Sequence, residues 1–139
     1  MSKEWISGNT LGGKHKAFNW NYSKENGITI KRILQGEGEY ITVFCAADIE
    51  KIIDYVSKRG KVELGNNVEK LDDGTEKEGL GKFAKIKLGK ITKDAQATSQ
   101  LASIFVCTNI FDYNGTLVNM EFWIKDMDWR EKLKRFVEN

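Results

Sequence analysis

Five lysines, Lys82, Lys85, Lys87, Lys90 and Lys93, lie between Gly79 and Lys93 with no acidic residue among them. Ammonium groups at that density neutralise phosphates and release condensed counterions, the chemistry of sequence-independent nucleic-acid binding. A lysine run on a helix is equally an ordinary solvated face, and Glu76, Glu78 and Asp94 stand just outside it to offset its charge. Next along the chain come Gln96, Ser99, Gln100 and Ser103, spaced to share one face of a helix. Their side chains are amides and hydroxyls. Gln matches the adenine edge in a major groove, and Ser donates to phosphate or base. Helix faces turned to solvent usually carry more Lys and Glu than this.

Other residues with chemical potential form no such group. His15 is the only histidine and sits between Lys14 and Lys16. Any Ser-His-Asp or Cys-His arrangement would have to use it, and no nucleophile has elbow-like glycine flanking. It reads as a loop histidine. One histidine and no CxxC argue against a metal site, and the acidic stretch 72–76 lacks the oxygen spacing of a calcium loop. The glycine-rich run 8–14 does not match a P-loop. No cofactor motif is present. Glu121 and Lys125 read as surface residues. Phe18, Trp20 and Tyr22 alternate along one strand with Lys14, Lys16 and Lys24 around them. That stripe either stacks unpaired bases or belongs to the core. Cys45 and Cys107 have apolar neighbours and read as two buried thiols, with a disulfide between them left open.

These groups must be placed by local elements. Alternation over residues 17–45, with turns at 24–27 and 35–39, predicts a three-stranded antiparallel meander; residues 1–16 show no clear period. Ile49, Ile52, Ile53 and Val56 fall at i, i+3, i+4 and i+7, the stripe of an amphipathic helix, which Asp48 can cap and Gly60 can end. A short strand over 61–64 follows, then a polar loop over 65–75. Leu80, Phe83, Ala84 and Leu88 mark a second helix over 78–88, weakened at its start by Gly79 and Gly81. Ala97, Leu101, Ile104 and Phe105 mark a third, from Thr92 to before Phe111. Asn114-Gly115 suits a two-residue type I′ hairpin, returning through a strand that alternates from Val118 to Lys125. A last helix opens at Asp128, with Trp129, Leu133, Phe136 and Val137 as its stripe.

The chain has 139 residues, 40% hydrophobic and 30% charged, with a net charge of +2. That suits one folded domain with a core. Bulk charge does not demand nucleic acid, so any such affinity must come from local clustering. With no proline and 13 glycines, turns must be built from Gly and Asn. No apolar run approaches a signal peptide or a spanning helix, and the expected location is cytoplasmic, with no membrane partner.

Over residues 47–125 the order is helix, short strand, helix, helix, strand, turn, strand. This resembles the winged-helix superfamily of DNA-binding domains. The resemblance covers a little over half the chain and rests on element order. It implies that the third helix is the recognition helix and the 113–118 hairpin the wing, although that tip carries no Lys or Arg and the 64–78 connection is longer than a tight helix-turn-helix uses. The expected fold class is α+β: a β-rich part over 1–46, a winged-helix-like part over 47–125 and a closing helix over 126–139. The expected function is non-enzymatic binding of double-stranded DNA. Lys82, Lys85, Lys87, Lys90 and Lys93 would hold phosphates, and Gln96, Ser99 and Gln100 would approach base edges. Four phosphate contacts would give a salt slope of about −3.6. The alternative is a protein-binding module or inhibitor of the kind phages and mobile elements encode, anchored by Trp123 or by the Phe18, Trp20 and Tyr22 strand.

Overall fold

The structure, a computed structural model, describes residues 4–138. The first unit is a four-stranded antiparallel sheet in sequence order, β1 (Ile6–Asn9), β2 (Ala17–Ser23), β3 (Gly27–Leu34) and β4 (Gly38–Phe44). Its inner face carries Phe18, Trp20, Ile28, Ile30 and Phe44, all buried. Trp20 pairs with Ile30, and Ile30 with Thr42, so period-2 alternation turns these residues to one side. The meander over 17–45 is present as expected. The segment before it is not structureless, because Ile6 to Asn9 add a fourth strand in register with Trp20 to Ala17. Four residues, one of them Gly8, are too few for periodicity to register.

Helix α1 (Ala46–Arg59) follows at once. Its buried stripe is Ile49, Ile52, Ile53 and Val56. The helix begins two residues before Asp48, which works from inside the first turn by accepting the Cys45 N–H at 3.2 Å. Gly60 closes the helix with φ 82°, the left-handed region where a side chain would be strained. Beyond β5 (Val62–Glu63), the stretch expected to be a loop contains helix α2 (Val68–Asp73). The Asn67 side chain caps it by accepting the Lys70 N–H at 3.1 Å. Its single buried residue, Leu71, is too sparse a pattern to announce a helix.

Helix α3 (Leu80–Ile86) starts against the 64–66 loop. The Gly81 N–H donates to the Leu64 carbonyl at 2.8 Å, and a Cβ on Gly81 would lie 2.4 Å from the Gly65 oxygen. Glycine here permits close backbone approach rather than weakening the helix by accident. The helix expected from Thr92 onward is two, α4 (Thr92–Gln96) and α5 (Thr98–Cys107), with the break at Ala97.

The chain closes with β6 (Phe111–Tyr113), β7 (Glu121–Ile124) and α6 (Trp129–Glu138). Strands β5, β7 and β6 form a second antiparallel sheet in that order. The expected two-residue hairpin at Asn114-Gly115 is not formed: Tyr113 pairs with Phe122 instead, and 114–120 make a longer loop. A two-residue turn would pair Tyr113 with Thr116 and carry Phe122 away from the core. In the observed register Phe122 is fully buried, its ring 6.0 Å from that of Phe111. Burial of a large aromatic sets the register against the local turn preference. Val118, where the alternating strand is expected to begin, lies in the 114–120 loop and is 70% exposed. One hydrophobic cluster joins both sheets through α1, α5 and α6, and the fold is α+β.

Candidate functional site

The lysine run does not form a free cationic face. Lys82 reaches Glu78 at 3.8 Å, one turn back. Lys85 donates to Thr92 Oγ1 at 2.9 Å. Lys90 pairs with Asp48 at 2.9 Å and donates to the Val43 carbonyl at 3.1 Å. Lys93 pairs with Glu37, and that bond holds its pKa above the ordinary lysine value. Lys87 is exposed and makes no ion pair among the described residues. The ion pairs of Lys82 and Lys93 lie at the surface, where water screens them, so phosphate could displace them, whereas the Lys90–Asp48 pair is largely shielded. The neighbouring carboxylates still cancel much of the charge that a phosphate would meet.

Helix α5 is also not a projecting recognition helix. Leu101, Ala102, Ser103, Ile104 and Phe105 are all buried. Ser103 Oγ donates to the Asn9 carbonyl at 2.6 Å, tying the helix to the end of β1. A helix that reads bases must enter a groove some 12 Å wide from a convex surface, and α5 lies beneath β1 and the loop that follows it. Its amide-and-hydroxyl face is therefore not a solvent face.

Gln96, Ser99 and Gln100 instead line a concave cleft of about 380 Å³. None of the five lysines lines it. Its cations are Lys14, Lys16 and Arg32, and no Asp or Glu is among its lining residues. The loop joining β1 to β2 carries Lys14 and Lys16 to the rim. Thr10 closes that loop: its N–H donates to the Lys16 carbonyl and its Oγ1 accepts the Lys16 N–H, both at 2.9 Å. Asn9 Nδ2 donates to the His15 carbonyl at 3.0 Å, and His15 takes φ 43°. The remaining walls are β3, the β5–α2 loop at Leu64 and Asn66, and Met120. Asn66 Nδ2 donates to the Gln96 carbonyl at 3.3 Å and joins two of these walls.

Arg32 is the unusual member. It continues the inward parity of Ile28 and Ile30 and is 7% exposed. Its Nη2 donates to the Lys93 carbonyl at 2.8 Å and to Thr42 Oγ1 at 3.2 Å, and Thr42 Oγ1 donates in turn to Asp94 Oδ1 at 2.7 Å. The Tyr40 ring lies 5.4 Å from the guanidinium. No carboxylate makes direct contact with Arg32 among the described residues. Its Nε is buried without an acceptor, and so is Gln100 Oε1 without a donor. Burial lowers the Arg32 pKa from the ordinary arginine value, while Asp94 and Tyr40 pull it back up. A guanidinium stays charged in proteins. A buried charge with open donors is costly unless an anion meets it.

The other candidates resolve differently. Phe18 and Trp20 are core residues, and Trp20 stacks on Phe136 with centroids 5.6 Å apart, so only the half-buried Tyr22 of that aromatic strand reaches the surface. Trp123 is half-buried, with the Lys61 ammonium 5.4 Å from its ring. Both cysteines are exposed and unpaired rather than buried. No helix among the described residues is long and apolar enough to cross a membrane.

The sequence marks Lys14 and Lys16 only as flanks of the aromatic strand and does not mark Arg32 as a site residue. One signal was present: a charged residue on the apolar parity of a strand, Ile28-x-Ile30-x-Arg32. No protein-family model, curated protein or solved structure matches this chain.

Proposed function

We propose that this chain is a non-enzymatic nucleic-acid-binding protein that takes its ligand in the cleft between the 10–16 loop, β3 and the α4–α5 segment. One observation carries the reading. Lys14, Lys16 and Arg32 converge with Gln96, Ser99 and Gln100 on a concave surface that no carboxylate lines. Cations there would neutralise phosphate, and the amides and hydroxyl would offer hydrogen bonds to sugar and base. The order of elements over 47–125, with β5, β6 and β7 in one sheet, supports a winged-helix-like framework. The recessed position of α5 favours a single strand over duplex DNA as the ligand, because a splayed strand can enter a cleft that a duplex cannot.

Fluorescence anisotropy with duplex and single-stranded oligonucleotides tests this. Single strands should bind more tightly than duplexes of the same sequence. Lys14→Ala with Lys16→Ala should weaken binding by about tenfold or more, whereas Lys82→Ala with Lys85→Ala should leave it within about twofold. The reverse ranking of the two double variants would return the site to the lysine run.

A second reading has its own observation. The outer face of the first sheet exposes Ile33, at 71%, together with Ile41 and Val43. Apolar residues clustered on one strand pair suit a protein partner. Loss of partner capture on Ile41→Lys and Val43→Lys, with oligonucleotide binding absent throughout, would favour it.

A further inference from the structure

Arg32 sets this cleft apart from a general cationic surface. Surface lysines serve a phosphodiester chain well, since they move with it and release counterions wherever it lies. A guanidinium held in the wall of a cleft cannot follow a sliding backbone. Arg32 is fixed at Nη2 by the Lys93 carbonyl and Thr42, 7% exposed, with Nε lacking an acceptor. Gln100, equally buried, has Oε1 without a donor and lines the same cleft. These are the two buried side-chain atoms without a hydrogen-bond partner among the described residues. Unpaired polar atoms at that depth cost about 1–3 kcal/mol each, and both residues line this concavity; an anion there would meet the Arg32 guanidinium and the Gln100 amide N–H, since an amide oxygen only accepts.

Size and lining narrow its chemistry. About 380 Å³ lies at the small end of ligand pockets, which run from roughly 300 to 1,000 Å³. A continuous strand would have to enter and leave through that space, whereas a terminal group need only enter. Three cations with no carboxylate among the lining residues suit more than one negative charge, as a phosphomonoester carries near neutral pH. Leu34, Leu64 and Met120 supply an apolar wall against which a planar ring can pack, with the Met thioether adapting to its edge.

We propose that the inner wall of the cleft, at Arg32, Ser99 and Gln100, binds a single phosphomonoester, so that the protein recognises a nucleotide or the phosphorylated end of a single strand. This inference deepens the nucleic-acid reading and rests on the same cleft, but it does not need a polymer.

Isothermal titration with inorganic phosphate, adenosine monophosphate and adenosine, beside short single strands with and without a 5′-phosphate, tests it and separates the two sources. The monophosphate should bind, adenosine should not, and the phosphorylated strand should bind at least about tenfold more tightly than its hydroxyl twin, the size expected of a charged hydrogen bond. Arg32→Lys and Gln100→Leu should each weaken the monophosphate by about tenfold, with Lys87→Ala unchanged. Should Arg32→Lys fail to fold, Gln100→Leu, which removes no charge and fills the same volume, carries the comparison. Strands that bind equally with either end, with no response to the monophosphate, would overturn the phosphomonoester site and leave the nucleic-acid reading standing. Monophosphate binding that ignores both substitutions would overturn it too, by placing the ligand elsewhere. Monophosphate binding with no strand bound would support the site and end the polymer reading.

Discussion

Single residues at the margins of the fold show how local bonds set local chemistry. Asp126 lies just before α6 and accepts the Asp128 N–H at 2.8 Å. That bond, with help from Lys132, holds its pKa below the ordinary carboxylate value. Asp73 is depressed for a similar reason, chiefly by the Thr75 hydroxyl and N–H. A depressed folded pKa means stability that is fully present above the unfolded value of about 3.9 and is lost as pH falls through the lower, folded one. Asp126→Asn should therefore cut the drop in urea midpoint between neutral pH and pH ~2, measured against wild type; an unchanged drop would remove Asp126 from the account. The thiols behave differently from buried cysteines. Cys45 and Cys107 are exposed, and both should react with a colourless-to-yellow thiol reagent in the native protein. Cys107 should react more slowly, because partial shielding of its sulfur from water raises its pKa and lowers the thiolate fraction. A single reacting thiol would contradict this.

At the scale of elements, the glycines at the start of α3 carry a packing role. Gly65, Gly79 and Gly81 interlock: a Cβ on Gly81 would stand 2.4 Å from the Gly65 oxygen and 2.6 Å from Asn66 Cβ. Leu64 and Asn66 in that loop also line the cleft, so the lock positions one of its walls. Gly81→Ala should destabilise the protein by about 1–3 kcal/mol, the range for overpacking, despite the better helix propensity of alanine. Gly13→Ala, whose Cβ meets nothing within 4 Å, should stay within about 0.5 kcal/mol. Denaturant unfolding of the two variants checks both. Equal stability would mean that the 64–66 loop can shift without cost.

At the scale of the whole molecule, charge placement matters more than its total. A net charge of +2 gives little general attraction, and most of the lysine run answers carboxylates or hydroxyls of its own chain. Three cleft cations touching a single strand predict a slope of log affinity against log salt near −2, from roughly −0.7 per phosphate. The five-lysine surface on a duplex would give a steeper slope, nearer −3.6 for four contacts. A salt titration of the anisotropy signal distinguishes them, and a slope steeper than about −3 would point back to the lysine run.

What the sequence determined by itself is what its periods encode: the α+β class, the strands of the 17–45 meander and the stripe of α1. Each rests on side chains a few residues apart, where chain geometry alone decides which of them share a face. Tertiary structure decided everything that depends on distant residues meeting. It broke the Thr92 helix at Ala97, recessed α5 under β1, and overruled the Asn114-Gly115 turn to bury Phe122. It also assembled the cleft, in which Arg32 is held by the Lys93 carbonyl 61 residues away and shares a surface with Lys14 and Gln100. No spacing rule links such positions, because the energy that joins them comes from burial and pairing of groups whose neighbours are set only when the whole chain has folded.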